Sequence, residues 1–382
     1  IPANEETRWG VMMKNPLVLY EDLDVEPPAL EDGEEAWVEF WGSVARGGPS
    51  SMPHFAAEAM PVFWPRHLSR YASAFEPLSQ LGWDGRSVHA YASAGGQTVG
   101  NMAAQHEGSY EVALGDFDPQ RTESTLESCE ECHEPQVRER SGISYYHFNG
   151  EGRRGRTDPP LYDEVGRGGD LLVREGEAFY SWEDGVVPDF IDLLSDDEAP
   201  SLAREGDYPL VAEKLAAGGA DHSMGITTHS MYLEGEGEDA VIRGTSLDES
   251  LHMLDEHEMR AVRKGPLLKP FTMAGSGAGM DDEGAWFRAI VLVHEDEAAA
   301  DENAELFARR LQEGAHRGRM EDGEYRDTGF DEEIERVETQ AEGRVMTARL
   351  YPRPDARSLQ VHPWDVPNAR VLLLHEPTED SE

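Results

Sequence analysis

Cys129, Cys132 and His133, in the stretch S-C-E-E-C-H-E-P, are the residues of this 382-residue chain whose types and spacing most directly suggest chemistry. Two thiols three apart, followed at once by an imidazole, have the C-x-x-C-H spacing that attaches a c-type haem. The thiols would reach the two vinyl groups, and His133 would take the iron from one side. The same thiols close readily into a local disulfide in an oxidising compartment, which pins the chain there and needs no cofactor. Zinc would need a fourth ligand, and these are the chain's two cysteines, so no second C-x-x-C exists. Glu130 and Glu131 between the cysteines oppose the thiolate that a thioredoxin-like site requires. The disulfide is the leading reading and one covalently attached haem c the alternative.

A haem on His133 would draw its distal ligand from D-H-S-M-G-I-T-T-H-S-M-Y, where His222 precedes Met224 and His229 precedes Met231, each by two residues. Residues two apart on a strand share a face, so each pair offers a sulfur with an imidazole. Met224 or Met231 is then the axial candidate. His222 and His229 are candidate metal ligands, for copper as well as for a haem protein. The plain alternative is that the methionines are core and the histidines surface. The sequence contains neither H-E-x-x-H nor G-x-S-x-G. The run G-S-G-A-G at 275–279 lacks the lysine and threonine of a phosphate loop and reads as a flexible turn. No catalytic residue is assigned.

These residues sit in a strongly acidic chain: 77 Asp and Glu face 33 Lys and Arg, a formal charge of -44. That field repels phosphate backbones and excludes nucleic acid as a partner. The acids are scattered, which indicates a solvated acidic surface and not an interaction tail. No apolar run approaches the length of a membrane span. The opening I-P-A-N-E-E-T, with Pro27 and Pro28 further on, resembles the tether left after a leader is removed. The expectation is an exported protein, extracellular or at the cell surface.

Behind the motifs, Tyr110 to Phe117 alternates like a strand, and Asp118 with Pro119 supplies an N-cap and first-turn proline for a helix running towards Cys132. Strands are expected at Ile143 to Phe148 and as a hairpin about Glu175 to Glu177. Helices follow from Val187 and over Tyr208 to Ala217, the latter stopped at Gly218. Another opens after the capping pattern at Ser246 to Glu249. Trp286 to His294 reads as a strand, and Asp296 caps a helix ending near Gly314. A hairpin about A-E-G-R and a last strand at Arg370 to His375 close the chain. Two strand–helix–strand–strand passes predict an α+β protein of duplicated units, antiparallel sheets with helices on one face. The divisions are an irregular N-terminal segment at 1–104, a first unit at 105–245 and a second at 246–382. Within the N-terminal segment, Leu17 to Tyr20 reads as a strand, Ala36 onward as helix, and Ala92 to Gly100 as a loop.

Three passages, V-A-L-G-D-F-D-P-Q-R-T-E-S-T-L-E, L-L-V-R-E-G-E-A-F-Y-S-W-E-D-G-V-V-P-D-F-I-D-L-L and I-V-L-V-H-E-D-E-A-A-A-D-E-N-A-E-L-F-A-R-R-L, resemble secreted lipoproteins of unknown function from high-GC bacteria and halophilic archaea. The similarity extends over about residues 105–375. It implies a duplicated α+β exported protein and no known activity. The functional expectation is therefore a structural or interaction role, with protein partners such as a surface assembly. An electron-carrying cytochrome is the alternative.

Overall fold

The computed structural model describes residues 9–14, 88–95, 110–128, 136–148, 169–181, 185–196, 201–235 (except 202, 205, 221, 222 and 229), 241–244, 263–353 (except 322, 323 and 333) and 372–377. The expected strand at Leu17 to Tyr20 and the helices from Ala36 and after Ser246 lie outside them. In chain order the first strands are β1 (Trp9–Lys14), β2 (Val88–Gly95) and β3 (Tyr110–Gly115). After helix α1 (Pro119–Ser128) come β4 (Gln136–Arg140), β5 (Ile143–Phe148), β6 (Gly169–Arg174) and β7 (Glu177–Ser181). Helices α2 (Val186–Leu194) and α3 (Tyr208–Ala217) lead to β8 (Ser223–Thr227), β9 (Met231–Glu234) and β10 (Val241–Gly244). The chain continues through β11 (Met273–Met280), β12 (Trp286–Val293), α4 (Glu297–Glu313), β13 (Ala315–Glu321) and β14 (Glu324–Gly329), then β15 (Ile334–Glu342) and β16 (Val345–Pro352).

The α+β class is as expected, but the strands form one sheet and not one per unit. Twelve of them join in the order β15-β16-β12-β11-β8-β1-β2-β3-β7-β6-β5-β4, each adjacent pair antiparallel, with β9–β10 and β13–β14 as separate ribbons. The N-terminal segment contributes β1 and β2 to the middle of this sheet, so Ala92 to Gly95 is strand and not loop. The strand–helix–hairpin order does recur, as β3–α1–β4–β5 and β12–α4–β15–β16. The sheet neighbours differ: β16 pairs directly with β12, whereas β6 and β7 separate β5 from β3.

Local chemistry explains the boundaries. Asp118 Oδ1 accepts from the Gln120 amide at 2.9 Å, and Asp296 Oδ1 accepts from the Ala299 amide at 2.8 Å, capping α1 and α4. The β4–β5 hairpin turns on Ser141 and Gly142, both at positive φ, which suits the right-handed twist of the flanking strands.

Helices lie on both faces, which corrects the one-face expectation. Along β12, Phe287, Ala289, Val291 and Val293 pack with Val211 and Leu215 of α3. Ile290 and Leu292 face the other way, into a cluster with Phe307 and Leu311 of α4. A strand buried on both sides needs the continuous apolar run A-I-V-L-V in place of alternation. The first part repeats the arrangement. Val112, Tyr145, Leu172 and Phe179 pack with Val187, Phe190 and Ile191 of α2. Helix α1 packs against β6 and sets Glu123 and Glu127 near Tyr146, on the face opposite Tyr145.

The glycine-rich run at 275–279 is also corrected: it belongs to β11. A Cβ on Gly275 would fall 2.2 Å from Val211 Cγ1, and one on Gly279 1.8 Å from the Gly219 carbonyl oxygen. The glycines let α3 lie directly on the strand. Three basic residues then fasten α3 to the β15–β16 hairpin. Arg344 pairs with Asp207 at its start, Lys214 with Glu342 along its length, and Arg349 donates at 2.7 Å to the Gly218 carbonyl at its end. The expected last strand shortens to a parallel bridge. His375 pairs with Tyr232 on one side and Leu268 on the other, while Leu372, Leu373 and Leu374 close the cluster beneath α4.

Candidate functional site

Cys129, Cys132 and His133 lie outside the described residues, in the connection between α1, which is described through Ser128, and the edge strand β4, which begins at Gln136. His222 and His229 lie outside them too. Met224 belongs to the apolar cluster beneath α3, with Met273 and Phe287. Met231 packs against the other cluster, with Ile242 and Leu374. The two methionines thus serve different cores, and the structure does not bring them together.

Three polar arrangements that the sequence did not mark stand out instead. The first joins β5 to β6. His147 and Asp170 are opposite in register, and His147 Nδ1 lies 2.7 Å from Asp170 Oδ1. The Asp170 side chain is 1% exposed, and its Oδ2 has no hydrogen-bond partner. A histidine oriented by a carboxylate is half of a nucleophilic triad. The remaining half would be a hydroxyl on the imidazole's far side, but the register sets Ser181 beside Asp170 and not beside His147. Strands about 4.8 Å apart hold the His147 and Ser181 backbones roughly 10 Å from each other.

The second arrangement lies where β12 meets α4. Asn303 is fully buried, on the same helical stripe as Ala300, Phe307 and Leu311. Its Oδ1 accepts from the Lys269 amide at 2.6 Å, while its Nδ2 donates to the Lys269 carbonyl at 2.9 Å and to His294 Nε2 at 2.7 Å. This makes His294 the neutral tautomer that carries its proton on Nδ1, which donates to the Arg344 carbonyl at 3.2 Å. Burial holds the His294 imidazole below its ordinary titration range, against the raising effects of the Arg344 carbonyl and Asp296.

The third arrangement is two turns further along α4. Arg310, 1% exposed, donates to the carbonyls of Leu372 at 3.0 Å, Pro266 at 2.8 Å and Lys264 at 3.5 Å. Burial pulls its guanidinium down to about 10, still charged at neutral pH. Asn303 and Arg310 were findable in the sequence, because seven residues apart they fall on the apolar stripe of a helix. His147 and Asp170 left no such signal, since their meeting depends on register between strands 23 residues apart.

Chemically, the first arrangement joins two neighbouring strands through side chains, and the other two tie α4 to backbone groups of other segments. Among the described residues no three His, Cys, Asp or Glu side chains converge as a metal site, and no helix is long and apolar enough to cross a membrane. Comparison with family models, with curated proteins and with solved structures gives no match.

Proposed function

We propose that this chain is an acidic structural or interaction protein of the cell exterior, exported or surface-attached. Its partners would be other proteins and its role non-catalytic, with Cys129 and Cys132 closed as a local disulfide. The observation that carries the reading is how its polar residues are used. Asn303 and Arg310 clamp the 264–269 segment to α4. Several of the scarce cations join separate elements: Arg140 holds Asp192, Lys214 holds Glu342, Lys269 holds Glu376 and Arg344 holds Asp207. With such cations engaged inside the molecule, the scattered surplus of carboxylates is left to solvent, which favours solubility and charge-steered protein contacts.

The test is the covalent state of the protein recovered from its source cells. An intact mass two hydrogens below the reduced chain, without a Soret band, is expected. A mass heavier by one haem, with a Soret band that survives acidified acetone, would replace this reading with the single-haem electron carrier that uses His133. Recovery of the protein only inside intact cells would remove the exported setting.

A further inference from the structure

Among the described residues of the second half, two buried histidines act on the same short segment. His294 accepts from Asn303, whose amide grips both backbone groups of Lys269. His375 lies in the closing segment, fully buried, with its backbone bridged to Leu268 and to Tyr232. Four backbone hydrogen bonds hold that segment. The His375 amide donates to the Met231 carbonyl and the Leu233 amide to the His375 carbonyl. The Leu268 amide donates to the Leu374 carbonyl and the Glu376 amide to the Leu268 carbonyl. The His375 Nδ1 proton goes to the Glu376 carbonyl at 2.5 Å, and its Nε2 has no hydrogen-bond partner. The Phe271 ring stands edge-on at 5.0 Å, and the Tyr232 ring lies tilted at 6.0 Å.

We propose that residues 267–272 and 372–376 form an acid-released latch, held shut by neutral His294 and His375 and unfastened when either takes up a proton. A proton on His294 Nε2 would set its N–H against the Asn303 N–H, 2.7 Å away, and Asn303 could satisfy the contact only by leaving Lys269. A proton on His375 Nε2 would bury a donor and a charge without an acceptor, beneath Leu372 to Leu374.

The charged neighbours do not reverse this balance. On α4, Glu302 is drawn to Lys269, and Arg310 faces the Leu372 carbonyl. Lys269 itself binds Glu376, and on β9 Glu234 is held by Arg243 of β10. At the β15–β16 turn, Arg344 is held by Asp207. Asp296 and Glu376 favour the charged imidazoles, and burial outweighs them, so both histidines are held below their ordinary range. The closed latch therefore binds fewer protons than the open one. Its stability is complete above the ordinary titration of histidine near 6.5 and declines as pH falls below that.

Hydrogen exchange read by mass spectrometry on the full chain, at fixed salt and corrected for intrinsic rates, tests the latch. The amides of Leu268, Lys269, His375 and Glu376 should lose protection below pH 6.5, by up to about tenfold per pH unit for each histidine. The β12 and β16 amides should keep theirs. In the double variant His294→Gln, His375→Gln, which retains hydrogen-bonding side chains without the titration, protection should be flat over the same range. If that variant does not fold, Asn303→Asp is read instead: its carboxylate welcomes the imidazolium at His294, so only His375 still opposes closure and the loss of protection below pH 6.5 should be shallower than in the native chain. Loss of protection with the same pH dependence in the Gln variant, or in the Asp variant, overturns the proposal by assigning the effect to carboxylates. Unchanged protection of the native latch from pH 7 to 5 overturns it as well.

Discussion

Replacing Gly275 by alanine tests the seating of α3 on β11 with a single methyl group. The added Cβ would sit 2.2 Å from Val211 Cγ1 and 3.2 Å from Leu215 Cδ1. Carbon atoms in contact prefer about 3.5–4.0 Å, so the methyl drives α3 outward by more than an ångström or forces Val211 from its rotamer. Overpacking of this kind costs about 1–3 kcal/mol. The lower chain entropy of alanine returns roughly 0.5–1 kcal/mol, leaving a net loss of about 1–2 kcal/mol. Val211→Ala alone removes two methyl groups from a fully buried position, which costs about 2 kcal/mol. In the double variant the new methyl enters the space that Cγ1 vacates. The combined cost should fall below the sum of the singles by about 1 kcal/mol or more. Urea unfolding followed by circular dichroism, at one salt concentration, measures all three. Gly279→Ala is the control, because its clash is with the Gly219 backbone oxygen, 1.8 Å away, which Val211→Ala cannot relieve. Strict additivity for Gly275, or rescue of Gly279 by Val211→Ala, would refute the packing argument.

Two other outcomes are expected. Asn303→Ala strands the Lys269 amide, the Lys269 carbonyl and His294 Nε2. At about 1–3 kcal/mol for each group left without its partner, the unfolding free energy should fall by about 3 kcal/mol or more in the same urea assay, and a loss below about 1 kcal/mol would deny the clamp its role. With a formal charge of -44, repulsion should outweigh the surface ion pairs. Raising salt from about 0.1 to 1 M shortens the screening length from about 10 to 3 Å and should raise the melting temperature. A fall would mean that pairs such as Lys214–Glu342 govern the surface.

Local signals in the sequence carried the elements but not their assembly. Asp118 with Pro119, Asp296, Gly218 and the E-G-E and A-E-G-R turns mark helix and hairpin boundaries where the structure has them, because caps and turns are decided within a few residues. The union of strands into one sheet depends on contacts between distant segments, as when β1 pairs with both β2 and β8. The run G-S-G-A-G looked like a turn because glycine is common in turns. In β11 its lack of side chains instead makes room for Val211 and for the Gly219 backbone. For the candidate site, composition and spacing pointed to C-x-x-C-H, whereas His147 with Asp170 and His294 with Asn303 arise only from register and from the angle at which α4 lies on its strands.

The central claim, that the buried polar groups serve the fold and not a reaction, is tested most directly by the melting temperature of Asp170→Ala. The carboxylate is 1% exposed and its partner 11%, and removing one partner of a buried hydrogen bond costs about 1–3 kcal/mol. A fastening role predicts a melting temperature lower by several degrees, with Asp170→Asn, which can still accept from His147 Nδ1, falling in between. A group retained for activity at the expense of stability behaves in the opposite sense. An Asp170→Ala protein that melts at or above the native temperature would contradict the account and mark His147 with Asp170 as a working site.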